Sequence, residues 1–195
     1  ALPNLCPHFH LSMQSGCDGV LKRMNRKYDT LRYLQSIDLL REHFPRPGLT
    51  TDLIVGFPGE TEAEFSTTLD FLRTCAFSAL HIFPYSRRAG TPAAGMPDQV
   101  PRQEKEERVR RAAALAAELE RTWLKSWVGE TLPVLFEENR DGLWRGHAPH
   151  YTEVHAPGQD LHNRLLPVVI TGVDGSALAG RLAGKEEEAL SHELC

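Results

Sequence analysis

The stretch Thr50-Thr51-Asp52-Leu53-Ile54-Val55-Gly56-Phe57-Pro58-Gly59-Glu60-Thr61-Glu62-Ala63-Glu64 holds the residue types best suited to chemistry. An apolar run bounded by glycine and proline predicts a buried strand. Gly56 and Gly59 admit backbone angles and close approaches that a Cβ forbids. Thr61 and Glu64 have the spacing of a capping box, so a helix is expected to start directly after the turn. A strand, a glycine turn and a helix N-terminus form a place where α/β proteins bind ligands, although a plain connecting turn would use the same glycines. His8 and His10, two apart on a strand, could ligate a metal together; a hydrogen-bonded histidine pair is the commoner use. Cys6, Cys17, Cys75 and Cys195 are separated by 11, 58 and 120 residues and match no metal or cluster spacing. Scattered cysteines of this kind suit free thiols in a reducing cytoplasm.

The elements that position these groups follow from periodicity. Residues 8–14 alternate, with Phe9, Leu11 and Met13 on one face and His8, His10, Ser12 and Gln14 on the other. A short helical piece over 19–24 with Asp18 as its cap is followed by a helix from Asp29 or Thr30 to Phe44. The stripe of that second helix is Leu31, Leu34, Ile37, Leu40 and Phe44. The central strand presents Thr51, Leu53 and Val55 on one side and Thr50, Asp52 and Ile54 on the other. The capped helix then buries Phe65, Leu69 and Leu72, and a third strand over 79–83 sets Leu80 and Ile82 against His81 and Phe83. This βαβαβ order predicts parallel strands joined by right-handed crossovers, with the turns at 14–16, 56–60 and 84–86 at one mouth. The polar strand faces suit an open barrel whose lumen is a chamber, or groups that bond one another near a wet strand end.

A long helix follows over 101–128, with Val109, Ala112, Ala113, Ala116, Leu119, Trp123 and Trp127 at helical spacing. Its Glu-Lys-Glu-Glu-Arg start predicts a solvated face. Beyond Gly129 short strands are expected over 131–137, 143–148, 151–155 and 165–173, separated by turn signals, which indicates a small antiparallel barrel.

The 195 residues carry 22 Lys+Arg and 26 Asp+Glu, a net charge of −4, so no broad basic surface marks the chain as a nucleic-acid binder. No apolar run approaches the roughly 20 residues that span a bilayer, and no secretory signal opens the chain, so a cytoplasmic protein is expected.

Several motifs together carry a family resemblance. Gln14-Ser15-Gly16, Leu21-Lys22-Arg23-Met24, the stretch 51–60, Phe83-Pro84-Tyr85-Ser86, Gly90-Thr91-Pro92-Ala93-Ala94 and Asp98-Gln99-Val100-Pro101 resemble the latter half of the radical SAM core of MiaB-like methylthiotransferases. The β-rich tail is similar to their TRAM domain. Leu80-His81-Ile82-Phe83-Pro84-Tyr85 and Gly146-His147-Ala148-Pro149-His150-Tyr151 resemble the MtaB type most, the tRNA threonylcarbamoyladenosine methylthiotransferases. The MiaB type acts on isopentenyl-adenosine and the RimO type on a ribosomal protein.

The resemblance implies an α/β fold: the C-terminal part of an open, partial TIM-type barrel over 1–128, a TRAM (OB-like) barrel over 129–185, and a frayed tail over 186–195. It implies methylthiolation of the modified adenosine beside the anticodon, using S-adenosylmethionine and two [4Fe–4S] clusters. Neither the CxxxCxxC run nor the three further cysteines of the family occurs here, so the cluster ligands are expected in a missing N-terminal portion and this chain alone is expected to be inactive. The partner is the tRNA anticodon stem-loop; the resemblance names no electron donor or sulfur source. The alternatives are a non-catalytic RNA-binding or scaffold module, or a methylthiotransferase acting on isopentenyl-adenosine tRNA or on a ribosomal protein.

By the same resemblance, S-adenosylmethionine is held by Gln14, Ser15, Ile54, Val55, Gly56, Phe83 and Tyr85, with Arg26, preferred over Arg23, meeting its carboxylate. Asp52 faces inward toward substrate or a polar network. Trp144, Arg145, His147, Tyr151 and Arg164 form an expected RNA face on the barrel, although Trp144 suits the core better. The stretch 126–185 holds five Lys+Arg against seven Asp+Glu, a net of −2, so its contribution to RNA affinity is expected to be modest.

Overall fold

The computed structural model describes residues 5–184; Cys195 and the tail read as frayed lie outside them. Packing divides the chain into two compact units, Phe9–Leu119 and the part from Glu120 onward together with the few residues before Phe9.

The first unit is a βαβαβ arrangement: β1 (His8–His10), α1 (Asp18–Arg23), α2 (Thr30–His43), β2 (Gly48–Val55), α3 (Glu62–Cys75) and β3 (Ala79–Pro84). A 3-10 turn (Pro92–Gly95) and α4 (Arg102–Lys125) follow. The strands lie in the order β1-β2-β3, and β2 and β3 pair in parallel with Thr51 opposite Leu80 and Ile54 opposite Phe83.

The first strand is shorter than its alternation predicts. Side chains take over its pairing: the Met13 N–H donates to Thr51 Oγ1 at 2.9 Å, and Tyr33 Oη donates to the Leu11 carbonyl at 2.6 Å. The chain rejoins β2 at Gln14, whose N–H donates to Asp52 O and whose carbonyl accepts from Ile54 N, both at 2.9 Å. Gln14 adopts φ 69°, a left-handed conformation that turns the chain out of the sheet.

Thr51, Leu53 and Val55 are buried, and Phe9, Leu11 and Met13 join them under Ile37, Phe65, Leu72 and Phe77. The opposite face of the sheet carries the polar and exposed set His10, Ser12, Thr50, Asp52, His81 and Phe83. The expected division of faces is therefore present.

Helix ends follow local chemistry with one exception. Asp29 caps α2 by accepting from Arg32 N, and the Thr61–Glu64 capping box starts α3. Asp18, expected as the cap of α1, is instead its first residue and accepts from Thr30 N at 2.8 Å, tying α1 to α2. On α2 Ile37 is buried and Leu34 and Leu40 pack against the core as the stripe predicts, whereas Leu31 is 65% exposed and Tyr33 is buried in its place. On α4 the buried line runs Arg108, Ala112 and Leu115, and Ala113 lies outside.

The second unit is a closed barrel of five strands ordered β4-β5-β6-β8-β7, from β4 (Thr131–Arg140), β5 (Leu143–His147), β6 (Glu153–Pro157), β7 (Leu165–Asp174) and β8 (Ala177–Leu182). Sequence patterning yields four of these. Ala177-Leu178-Ala179-Gly180 has no bulky alternation because there is no room: a Cβ on Gly180 would lie 2.9 Å from the Val169 carbonyl oxygen. This strand closes the barrel by pairing in parallel with β6, so the barrel is not wholly antiparallel. The change of composition near 129 marks helix giving way to strand, whereas packing divides inside α4. The reason is that Leu124 and Trp127 are buried with Val134, Phe136, Val154 and Ile170.

Candidate functional site

The C-terminal ends of the three strands meet at a cavity of about 570 Å³ lined by Gln14, Asp52, Ile54, Phe83, Pro84, Tyr85, Ser86, Arg88, Thr91 and Ala93. That volume lies in the range of small-molecule and cofactor pockets. Ile54, Phe83 and Pro84 give apolar walls. The Tyr85 N–H donates to Val55 O at 2.8 Å, extending the β2–β3 ladder past the end of β3. Tyr85 also carries a buried hydroxyl with no hydrogen-bond partner among the described residues, its ring packed edge-on against Phe57 with centroids 5.2 Å apart.

Beside the cavity, the open sheet face carries a polar row. His10 Nε2 lies 3.2 Å from Asp52 Oδ2, His10 Nδ1 lies 3.0 Å from Thr50 Oγ1, and Ser12 Oγ donates to Asp52 Oδ2 at 3.2 Å. These groups bond one another, which is the hydrogen-bonded use of His10 weighed above against metal ligation.

Of the residues read as cofactor-binding, Gln14, Ile54, Phe83 and Tyr85 line the cavity together with Asp52. The others lie elsewhere. Ser15 is buried against α3, its Oγ 3.4 Å from Thr68 Oγ1. Val55 points into the core. Gly56 has φ +71° and lies under the Lys105 side chain, whose Cδ would be 2.8 Å from an added Cβ. Arg26 is exposed after α1 and does not line the cavity. Arg23 is engaged, donating from both terminal nitrogens to the Glu64 carboxylate at 3.0 and 2.8 Å and to Gly59 O at 3.2 Å. The Arg23 guanidinium holds the Glu64 carboxyl below the usual carboxylate range.

The turn after β2 is held from inside by residues read as a solvated helix face. Arg108 and Glu60 pair at 2.8 Å with side chains 1% exposed. The Gly56 N–H also donates to Glu60 Oε2, at 2.6 Å, and Arg108 donates to the Glu60 carbonyl at 2.9 Å and to Glu104. Burial pushes the Glu60 carboxyl up, against the lowering effect of these donors. Lys105 donates to Tyr85 O at 3.0 Å, so one side chain spans the ends of β2 and β3. A signal for Arg108 existed: with Ala112 and Leu115 it sits at i, i+4 and i+7, one turn before the apolar stripe.

In the barrel unit, Arg145 and His147 share an outer face, and His147 stacks on Tyr151 with ring centroids 4.7 Å apart. The same face carries acids: Glu137 lies 2.6 Å from His147, and Glu153 lies 3.6 Å from Arg145 and 2.6 Å from His155. Arg164 lies apart, lining a separate cavity of about 200 Å³ with Leu161, Leu166 and Leu182. Trp144 packs against the barrel core and donates from Nε1 to Gly158 O at 3.2 Å.

A family model, "Radical SAM superfamily", matches residues 2–72. The tRNA-2-methylthio-N(6)-dimethylallyladenosine synthase of Nitratidesulfovibrio vulgaris is 40% identical over 192 residues, covering 94% of this chain and 43% of that protein. The Threonylcarbamoyladenosine tRNA methylthiotransferase MtaB of Bacillus subtilis is 40% identical over 169 residues, covering 84% of this chain and 38% of that protein. The chain is a homologue of radical SAM tRNA methylthiotransferases. It spans less than half the length of these curated relatives. Among the described residues no helix is long and apolar enough to cross a membrane.

Proposed function

We propose that this chain is part of a tRNA methylthiotransferase that adds a methylthio group to N6-threonylcarbamoyladenosine next to the anticodon by radical SAM chemistry. The observation that carries the reading is the cavity at the three parallel strand ends, in a chain whose relatives are named for this reaction class. Residues 1–128 then correspond to the C-terminal half of an open radical SAM barrel, and 129–185 to a TRAM domain. The enzyme works in the cytoplasm on the tRNA anticodon stem-loop.

The cavity fits S-adenosylmethionine. Ile54, Phe83 and Pro84 offer an apolar wall for a flat base, and the Gln14 amide can bond ribose or methionyl oxygens. When bound, this cofactor supplies a 5′-deoxyadenosyl radical on reductive cleavage. The residues present orient it and keep water from it, and Lys105 and Arg108 fix the strand ends that form its walls.

Among the described residues the cysteines do not fit an iron–sulfur cluster. Cys75 is buried, with its thiol pushed up to about 12 by burial, Cys17 is half-buried, and Cys6 is exposed. A cluster needs a local set of thiolates. No step is assigned to a cluster on this chain, which is inactive by itself in this reading.

The threonylcarbamoyl substrate is supported by the wording of 80–85 and 146–151 and by the Bacillus subtilis relative. The dimethylallyl substrate is a second reading, supported by the Nitratidesulfovibrio vulgaris relative at the same identity. The full-length protein, supplied with anticodon stem-loops carrying one or the other modified adenosine, decides between them: methylthiolation of the threonylcarbamoyl RNA is expected. Tight RNA binding without product from either RNA would favour the non-catalytic module.

A further inference from the structure

Arg88 is the one arginine or lysine among the residues lining the strand-end cavity. The arginines around it have other work. Arg87 donates from Nε to Ala94 O at 2.7 Å, and Arg23 is spent on Glu64. The backbone carbonyl of Arg88 accepts from the Thr91 N–H and hydroxyl at 3.3 and 2.8 Å, which fixes the turn that carries it. Its guanidinium has no ion-pair partner among the described residues. The one carboxylate lining the cavity, Asp52, is turned to His10 and Ser12. Arg88, an exposed residue, therefore stands with Ser86 and Thr91 among the residues lining the cavity, next to its apolar walls.

A planar guanidinium without a counter-ion in a concave site matches a carboxylate, which it can hold through two parallel hydrogen bonds. We propose that Arg88 receives the carboxylate of an amino-acyl group on the ligand of this cavity, the role that sequence reading gave to Arg26. The proposal rests on the methylthiotransferase reading, under which two ligands bring such a group. One is the methionyl part of S-adenosylmethionine and the other is the threonyl part of N6-threonylcarbamoyladenosine. A dimethylallyl substituent carries no charge and gains nothing from Arg88.

The experiment compares the full-length, cluster-reconstituted wild type with Arg88→Met and Arg88→Lys. It measures 5′-deoxyadenosine formation from S-adenosylmethionine without RNA, and methylthiolation of stem-loops carrying either modified adenosine. If the carboxylate is the methionyl one, Arg88→Met raises the KM for S-adenosylmethionine about tenfold or more in the RNA-free reaction, with partial recovery in Arg88→Lys. If it is the threonyl one, that KM stays within about twofold, and turnover of the threonylcarbamoyl RNA falls about tenfold or more relative to the dimethylallyl RNA. An equal loss on both RNAs with an unchanged KM for S-adenosylmethionine would indicate a phosphate contact and overturn the proposal, as would no change in any reaction. A wild type that methylthiolates neither RNA would sink the methylthiotransferase reading itself, before any variant is compared.

Discussion

Arg108 Nη1 lies 2.8 Å from Glu60 Oε2, with both side chains 1% exposed, so helix α4 and the glycine turn after β2 are joined by a buried ion pair. Glu60 also accepts from the Gly56 N–H, which makes this pair part of the turn rather than an addition to it. Desolvation makes such a pair a poor source of net stability, but removing one partner strands the other.

Arg108→Met should therefore destabilise the first unit by about 3–5 kcal/mol. A double variant, Arg108→Met with Glu60→Leu, should recover a large part of that loss. Chemical denaturation of both single variants and of the double checks this; a double-variant loss equal to the sum of the two single losses would mean that the pair is not coupled.

Acid stability should depend on Glu64. Its folded pKa is depressed, chiefly by the hydrogen bonds from Arg23, so its contribution is present above the unfolded value and disappears as pH falls through the folded one. The melting temperature should be unaffected by this group near neutrality and fall as pH drops below about 4. Glu64→Gln should lower stability at pH 7 and flatten that acid limb. An acid limb of unchanged steepness in the variant would contradict the assignment.

Gly56 and Gly146 are glycine for different reasons. Gly56 has φ +71°, so Gly56→Ala should cost about 1–2 kcal/mol from backbone conformation and should also push Lys105 from Tyr85 O. Adding Lys105→Ala should relieve the crowding and leave the backbone cost. Gly146 has an ordinary φ, but a Cβ there would lie 2.7 Å from the Leu135 carbonyl carbon and 2.8 Å from Phe136 Cα. Gly146→Ala should lose the cooperative melting of the barrel unit, because backbone cannot move aside as a side chain can.

The elements that carry their own signal were legible in the sequence. Thr61 and Glu64 fix the start of α3, and alternation around Leu53 fixes which face of β2 is buried. What escaped depended on partners distant in sequence. Tyr33 is buried in place of Leu31 because its hydroxyl reaches the Leu11 carbonyl. Arg108 is buried because Glu60, 48 residues earlier, waits for it. Strand β8 is built of small residues that fit a crowded closure and show no alternation. Gln14, Asp52, Ile54, Phe83 and Tyr85 were foreseen at one mouth because parallel strands bring their C-terminal ends together. Arg88 was not, since loop residues follow no period.

The cations of the barrel face should add little to RNA affinity, because Arg145 and His147 stand beside Glu153 and Glu137. Tyr151, 66% exposed and stacked on His147, is the group best placed to stack on a base. Tyr151→Ala should weaken stem-loop binding by about 1–3 kcal/mol, with little change in its salt dependence. Arg145→Ala should change both only slightly. Fluorescence titration of the full-length variants at two salt concentrations measures these effects, and a larger loss for Arg145 than for Tyr151 would reverse the roles.

Methylthiolation of tRNA by this protein is tested most directly by nucleoside mass spectrometry of tRNA from cells lacking the gene that encodes this chain. Loss of the methylthio derivative of N6-threonylcarbamoyladenosine, accumulation of the unmethylthiolated nucleoside, and return of the product on complementation are expected. Unchanged methylthio-N6-threonylcarbamoyladenosine, with or without loss of the dimethylallyl derivative, would contradict that expectation.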